Sequence, residues 1–154
     1  MKGSDSLPEA EELLVLEKVS RQEGSGIETE DLIGIWRFTS VWGKGSKNED
    51  LFSGVLLRIL SAKLEVLLDK DQFAEKSKPL RIYNSISLGP FLFRFVGSGL
   101  LKGKQPLLPF FFNKFEVKIG SKIGFSLSLE KPKDNDIPFF ALIAMGKNGE
   151  WLSA

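Results

Sequence analysis

The chain has 154 residues, of which 42% are hydrophobic and 27% are charged, and its formal net charge is +1. This size and composition are typical of a single soluble domain with its own hydrophobic core. Cysteine and histidine are both absent, which excludes disulfides, Ser-His-Asp triads and most zinc sites. We therefore expect no metal, no cofactor and no catalytic residue, and we interpret the chain as a non-enzyme.

The segments that would direct a chain into or across a membrane are absent from the sequence. No apolar run approaches the roughly 18 residues of a spanning helix, and the start "MKGSDSLPEAEELL" lacks the basic-then-apolar order of a secretory signal. We expect an intracellular protein. Charge is uneven, since residues 1–31 carry nine acidic and three basic side chains and residues 32–154 carry eleven and eighteen. The resulting +7 body would suit anionic lipid or nucleic acid, although lysines spread over a solvated surface are a commoner cause.

The first part of the chain is typical of a helix. Ser6 and Glu9 fit a capping box, "EAEELLVLEKVS" supplies helix formers, and Gly24-Ser25-Gly26 ends the pattern. We divide the chain into an N-terminal helix and linker over 1–31 and a β domain over 32–154.

From residue 32 the hydrophobic period changes to two, as in a β-strand. In "LIGIWRFTSVW", residues 32–42, one face holds Leu32, Gly34, Trp36, Phe38, Ser40 and Trp42. Further strands are predicted at "SGVLLRIL", "KLEVLLD", "LRIYNSISL" and "FLFRFVG", and hairpins at Gly120-Ser121 and Asn148-Gly149. Eight or nine short strands without a second helix pattern predict a mainly β fold, an antiparallel up-and-down barrel or strongly curved sheet with an N-terminal helix.

A barrel of about eight strands encloses packed side chains or one small apolar ligand. The candidate ligand-binding residues are the aromatic side chains at core parity: Trp36, Phe38, Trp42, Phe93, Phe95 and Phe125. The same rings would equally fill a solid core. We interpret Trp36, beside Gly34, first as a plug at one end of the core, and Trp42 as the better ligand candidate.

The stretch "GSGLLKGKQPLLPFFF", residues 97–112, combines apolar residues with glycine, proline and two lysines. Such a loop would insert into a lipid surface, or it would fold over the mouth of the barrel. If it meets a membrane, the contact residues are Leu100, Leu101, Leu107, Leu108 and Phe110.

"DLIGIWRFTS", residues 31–40, resembles the Gly-x-Trp first strand of lipocalin-like barrels. With the preceding helix, with "LPFFF" at 108–112 and with "IPFFALIAMGKNGEWLSA" at 137–154, the chain resembles cyanobacterial members of the plastid lipid-associated protein (fibrillin) family. The resemblance implies a barrel attached to thylakoid membranes or lipid globules. It also implies a last apolar strand after "GEWLSA", where this chain stops, so we expect either a closed barrel or one without its closing strand.

Our leading hypothesis is non-enzymatic binding or carriage of a carotenoid, quinone, fatty acid or other lipid, with peripheral membrane contact and a cytoplasmic or thylakoid-surface location. The first alternative is a nucleic-acid-binding β module that uses the basic outer face. The second is an enzyme of lipid or pigment metabolism. The sequence assigns no oligomeric state.

Overall fold

The computed structural model describes residues 7–40, 50–59, 61–71, 78–103 and 106–154. Two residues that the sequence analysis singled out, Ser6 and Trp42, lie outside this part of the chain.

The described residues form two α-helices and nine β-strands. The helices are α1 (Ala10–Glu23) and α2 (Leu51–Ile59). The strands are β1 (Gly34–Arg37), β2 (Lys63–Leu68), β3 (Leu80–Leu88), β4 (Phe91–Gly99), β5 (Leu107–Ile119), β6 (Lys122–Ser128), β7 (Phe139–Ala141), β8 (Ala144–Met145) and β9 (Leu152–Ser153).

The N-terminal helix that the sequence predicts is confirmed. It ends where Gly24, at a φ of 86°, turns the chain and donates its N–H to the carbonyl of Ser20. Only glycine adopts such a positive φ without strain. The helix begins after Glu9, whose side chain makes no capping hydrogen bond.

The prediction of a strand at "SGVLLRIL", residues 53–60, was wrong, because residues 53–59 lie in α2. The carboxylate of Asp50 accepts hydrogen bonds from the backbone N–H of Ser53 at 3.0 Å and from its hydroxyl at 2.6 Å. This is the arrangement of a helix N-cap. The predicted strand began at Ser53 and so left out both the cap residue Asp50 and the first turn of the helix.

The mainly β, antiparallel architecture is confirmed. Strands β1 to β6 pair in chain order, each antiparallel to the next, and β7 extends the sheet beside the first residues of β5. The six consecutive strands curl through about 220°, giving a half-barrel. Within the described ranges β1 and β6, the two ends of this path, do not pair with each other.

Tight turns set the register of the sheet. Gly89, with a φ of 56°, and Pro90 join β3 to β4, while Gly120, with a φ of 61°, and Ser121 join β5 to β6. The second of these hairpins is the one that the sequence predicts. The predicted hairpin around Asn148-Gly149 is also present, between β8 and β9.

The hydrophobic core lies on one face of this sheet. Its buried residues are Ile27, Leu32, Val66, Leu80, Ile82, Leu108 and Leu142. Ile27 and Leu32 precede β1, so the segment between α1 and the sheet belongs to the same core. Among the helices of the described ranges, none is long and apolar enough to cross a membrane.

Candidate functional site

The register divides the sheet into an apolar and a polar face. Directly paired residues of neighbouring strands point to the same side of a sheet. Ile86 of β3 pairs with Phe93 of β4, which pairs with Val117 of β5, and Val117 pairs with Phe125 of β6. Since Ile86 has the parity of the core residue Ile82, this row lies on the face that carries the core.

Beyond the core, the same face continues without a covering element in the described chain. We call this region the distal apolar face, and it consists of Ile86, Leu88, Phe91, Phe93, Phe95, Phe115, Val117, Ile119, Phe125 and Leu127. Several of these side chains are open to solvent, with Phe91 41%, Phe95 37%, Phe125 53% and Leu127 49% exposed. A solid core would not leave them so exposed.

A β-bulge keeps this face continuous along β5. Val96 of β4 pairs with Lys114 and Gly97 pairs with Phe112, which leaves Asn113 as an extra residue. Phe112 and Phe115 therefore lie on one side, and the ring of Phe95 contacts both, at centroid distances of 5.4 and 4.9 Å. The two-residue period of the sequence gives these two phenylalanines opposite faces.

A second bulge lies at the start of β6. Val117 pairs with Phe125 and Lys118 pairs with Ile123, so Gly124 is the extra residue. Ile123 consequently shares the polar face with Lys118, although it has the same parity as Phe125 in the sequence. The two-residue alternation between the faces of β6 therefore holds only from Phe125 onward.

Three of the six predicted ligand-binding residues come together here. Phe93 and Phe95 lie on β4, and Phe125 lies two strands away from Phe93, about 10 Å across the sheet at the usual strand spacing. Phe115, Val117 and Leu127 lie beside these three rings on the same face. These three residues were not predicted as candidates, because only the pairing of β5 with β4 and β6 shows that they border the predicted rings.

Trp36 lies elsewhere on the same face. Trp36 pairs with Leu64, Leu64 pairs with Asn84, and Asn84 pairs with Phe95. Three strand spacings therefore separate Trp36 from Phe95, or about 14 Å along the sheet. Its indole Nε1–H donates a hydrogen bond to the carbonyl of Leu32 at 2.8 Å, and its ring packs against the core. These contacts favour the interpretation of Trp36 as a structural plug.

Of the two remaining ligand candidates, Phe38 alone is described, and it lies away from the distal apolar face. Phe38 follows β1 and is half-buried, and its backbone N–H donates to the carbonyl of Ala62 at 3.4 Å. Trp42 lies outside the described residues.

The five predicted membrane-contact residues lie at the start of β5 and in the connection between β4 and β5. Leu108 belongs to β5 and is 3% exposed, while Leu101 and Phe110 pack against the core. Leu100 and Leu107 are half-buried, and the ring of Phe110 stacks on Phe140 at 4.8 Å. Three of these residues therefore lie in the core or pack beside it, whereas the sequence left open a loop that inserts into lipid and a loop that folds over the mouth of the barrel.

The polar face carries an ion-pair network at the level of Phe93 and Phe95. Arg94 donates to the carboxylate of Glu116 at 2.5 and 2.9 Å, and Lys114 lies 3.0 Å from the same group. Burial of Glu116 would raise its pKa, but hydrogen bonds from Lys114 and Arg94 outweigh this effect and lower the pKa below its usual value. The guanidinium of Arg94 also lies over the ring of Tyr83, 4.9 Å from its centroid. Arg94 is therefore engaged on the polar face and does not point toward the distal apolar face.

An open cleft of about 490 Å³ lies at the end of β2, away from the distal apolar face. Its charged walls include Asp69, which accepts hydrogen bonds from Arg81 at 3.4 and 3.5 Å. These charges compensate each other. Across the described chain, no group of three or more Asp or Glu side chains is placed to hold a metal ion.

Comparison with known proteins finds no matching family model, no matching curated protein and no matching solved structure.

Proposed function

We propose that the chain binds a small apolar molecule on the distal apolar face, without catalysing a reaction. The observation that carries this proposal is the continuous, half-exposed surface of phenylalanine and aliphatic side chains on β3 to β6. Soluble domains rarely leave contiguous apolar patches of more than a few hundred Å² exposed unless a ligand, partner or membrane covers them. The ligand class that fits is a carotenoid, quinone, fatty acid or other lipid, in line with the resemblance to the fibrillin family.

The separation of rings and cations favours this ligand class over a nucleic acid. Binding to single strands combines stacking rings with cations along the same groove. On β4, however, Phe93 and Phe95 lie on one face and Arg94 lies on the other, held by Glu116. The proposed surface is therefore suited to an uncharged hydrocarbon chain or ring system.

Peripheral association with thylakoid membranes or lipid globules is part of the proposal, and α2 supports it. Leu51, Val55 and Ile59 recur every four residues and are 63%, 45% and 72% exposed. Residues at this spacing form one stripe of a helix, and a stripe of exposed aliphatic side chains suits a helix lying on a lipid surface.

Titration with the fluorescent fatty acid cis-parinaric acid tests the ligand-binding proposal. We expect saturable binding that Phe125→Ser weakens about tenfold, because it removes a large part of one ring contact. Phe139→Ser is the matched control, since Phe139 is the same residue type, is 58% exposed and lies outside the distal apolar face. Absence of saturable binding, or equal weakening by both variants, would contradict the proposal.

A further inference from the structure

The outer edge of β6 is open. Within the described ranges β6 pairs only with β5, and all seven of its residues are exposed. An open edge presents unpaired backbone N–H and C=O groups that another strand can bind. Proteins usually protect such an edge with a charge, a proline or a bulge.

The protection of this edge is confined to its ends. Lys122 and the bulge at Gly124 lie at the start of the strand, and Glu130 follows its end. Between them, "FSLSL" at 125–129 contains neither a charge nor a proline. This segment is regularly paired to β5 up to Ser128, and the backbone N–H of Leu129 continues the ladder to the carbonyl of Asn113 at 2.8 Å.

The segment is complementary to itself. In an antiparallel pair of two copies centred on Leu127, Phe125 lies opposite Leu129 and Ser126 lies opposite Ser128. Every apolar side chain then meets an apolar one on the core-bearing face, and every serine meets a serine on the polar face. Such a two-fold arrangement uses the same surface on both subunits and closes at two copies.

We propose that β6 pairs with β6 of a second copy of this chain, antiparallel about a two-fold axis at Leu127. The Phe125 and Leu127 side chains are about half exposed, so each would bury roughly 100 Å² in such a pair, or about 400 Å² for both copies together. This is below the 1,200 Å² or more of a stable interface. The dimer is therefore weak and reversible, and backbone hydrogen bonds contribute a large share of its stability.

Pairing would join two distal apolar faces across the axis. Leu127 of one copy would lie beside Leu127 of the other, and Phe125 beside Leu129, which doubles the apolar surface available to an extended ligand. This shared ligand surface rests on the proposed function, whereas the strand pairing rests on the edge alone.

Substitution of Ser126 and Ser128 by charged residues tests the pairing. These two serines face away from the distal apolar face, so the substitutions leave the proposed ligand surface unchanged. We expect wild-type protein to form dimers reversibly with rising concentration in sedimentation velocity. Ser126→Lys with Ser128→Lys, and separately Ser126→Glu with Ser128→Glu, each give monomers because like charges meet across the axis. An equimolar mixture of the two variants forms heterodimers. A wild-type chain that stays monomeric at high concentration, assemblies larger than dimers, or charged variants that associate like wild type would overturn the proposal.

Cross-linking tests the register in this cysteine-free chain. Cysteine at Leu127→Cys would face its copy at the 4.5–5.5 Å Cα separation of opposed strand residues, within disulfide range. Two copies of Ser121→Cys would be about 40 Å apart. We expect rapid oxidative dimerisation only for Leu127→Cys, and equal rates would contradict the register. Titration with parinaric acid separates the two proposals. If wild type dimerises but does not bind parinaric acid, the ligand-binding proposal fails and the pairing stands. If the charged monomers still bind parinaric acid, each copy carries a ligand site of its own.

Discussion

Phe112 and Phe115 contact the same ring, that of Phe95, although three positions separate them on β5. The extra residue Asn113 makes this possible by shifting the register by one. The apolar face therefore runs unbroken from the core, through Phe112, to the exposed rings beyond it.

The first prediction concerns the glycine opposite this bulge. A Cβ on Gly97 would lie 2.0 Å from the carbonyl oxygen of Phe111, so Gly97→Ala is expected to lower the free energy of unfolding by about 3 kcal/mol. Urea denaturation measures this change. Gly124→Ala is the control, because its nearest contact would be an ordinary 3.6 Å; a similar loss in both variants would exclude the close approach as the cause.

The ion pair of Glu116 predicts a pH-dependent contribution to stability. Since the folded-state pKa of Glu116 is lowered, its stabilisation is fully present above the unfolded pKa of about 4.3 and is lost as pH falls through the folded pKa. Glu116→Gln should therefore reduce the free energy of unfolding by about 1–3 kcal/mol at neutral pH. The gap to wild type should shrink in acid.

Denaturation at several pH values checks this dependence. Glu65→Gln is the control on the same face, because the structure describes no ion pair for Glu65. A Glu116→Gln deficit that stays constant down to strongly acidic pH would exclude ionisation as its source.

The indole of Trp36 is predicted to stabilise the fold without binding ligand. Trp36→Phe removes the hydrogen bond to the carbonyl of Leu32 and should cost about 1–2 kcal/mol of unfolding free energy. Its affinity for parinaric acid should match that of wild type. An affinity loss as large as that of Phe125→Ser would place Trp36 in the ligand site instead.

The exposed stripe of α2 predicts where the chain meets a lipid surface. Ile59→Asp should reduce co-flotation with anionic vesicles severalfold, because the charge opposes burial of the helix in the interface. Ile35→Asp is the matched control, because it makes the same substitution at an exposed isoleucine outside α2; Ile35 lies on β1 and is 57% exposed. Equal co-flotation of the two variants would show that α2 is not the contact.

The strand content and the hairpins could be predicted because each depends on local signals. The two-residue period and the glycines at 89 and 120 act within a few residues, so the sequence shows them directly. The helix α2 was missed because the predicted strand began at Ser53, after the Asp50 cap and after Leu51, the first of the apolar residues that recur every four positions.

The clustering of the candidate residues could be predicted in part for a related reason. Parity along β4 brings Phe93 and Phe95 together, and the Gly120 turn brings Phe125 near them. The bulges at Asn113 and Gly124 are long-range features, since each exists only relative to the neighbouring strand. Parity alone therefore misplaces Ile123 and misses Phe115.

The order in which the strands pair has a consequence for how the chain folds. From β2 to β6 every strand pairs with its neighbour in sequence, so this part of the sheet can form by successive addition of hairpins. The exception is β7, which returns to the first residues of β5. We expect the β3 to β6 meander to be formed in the transition state and the β7 pairing to form after it. Substitutions in the meander would then slow folding, whereas substitutions in β7 would chiefly accelerate unfolding.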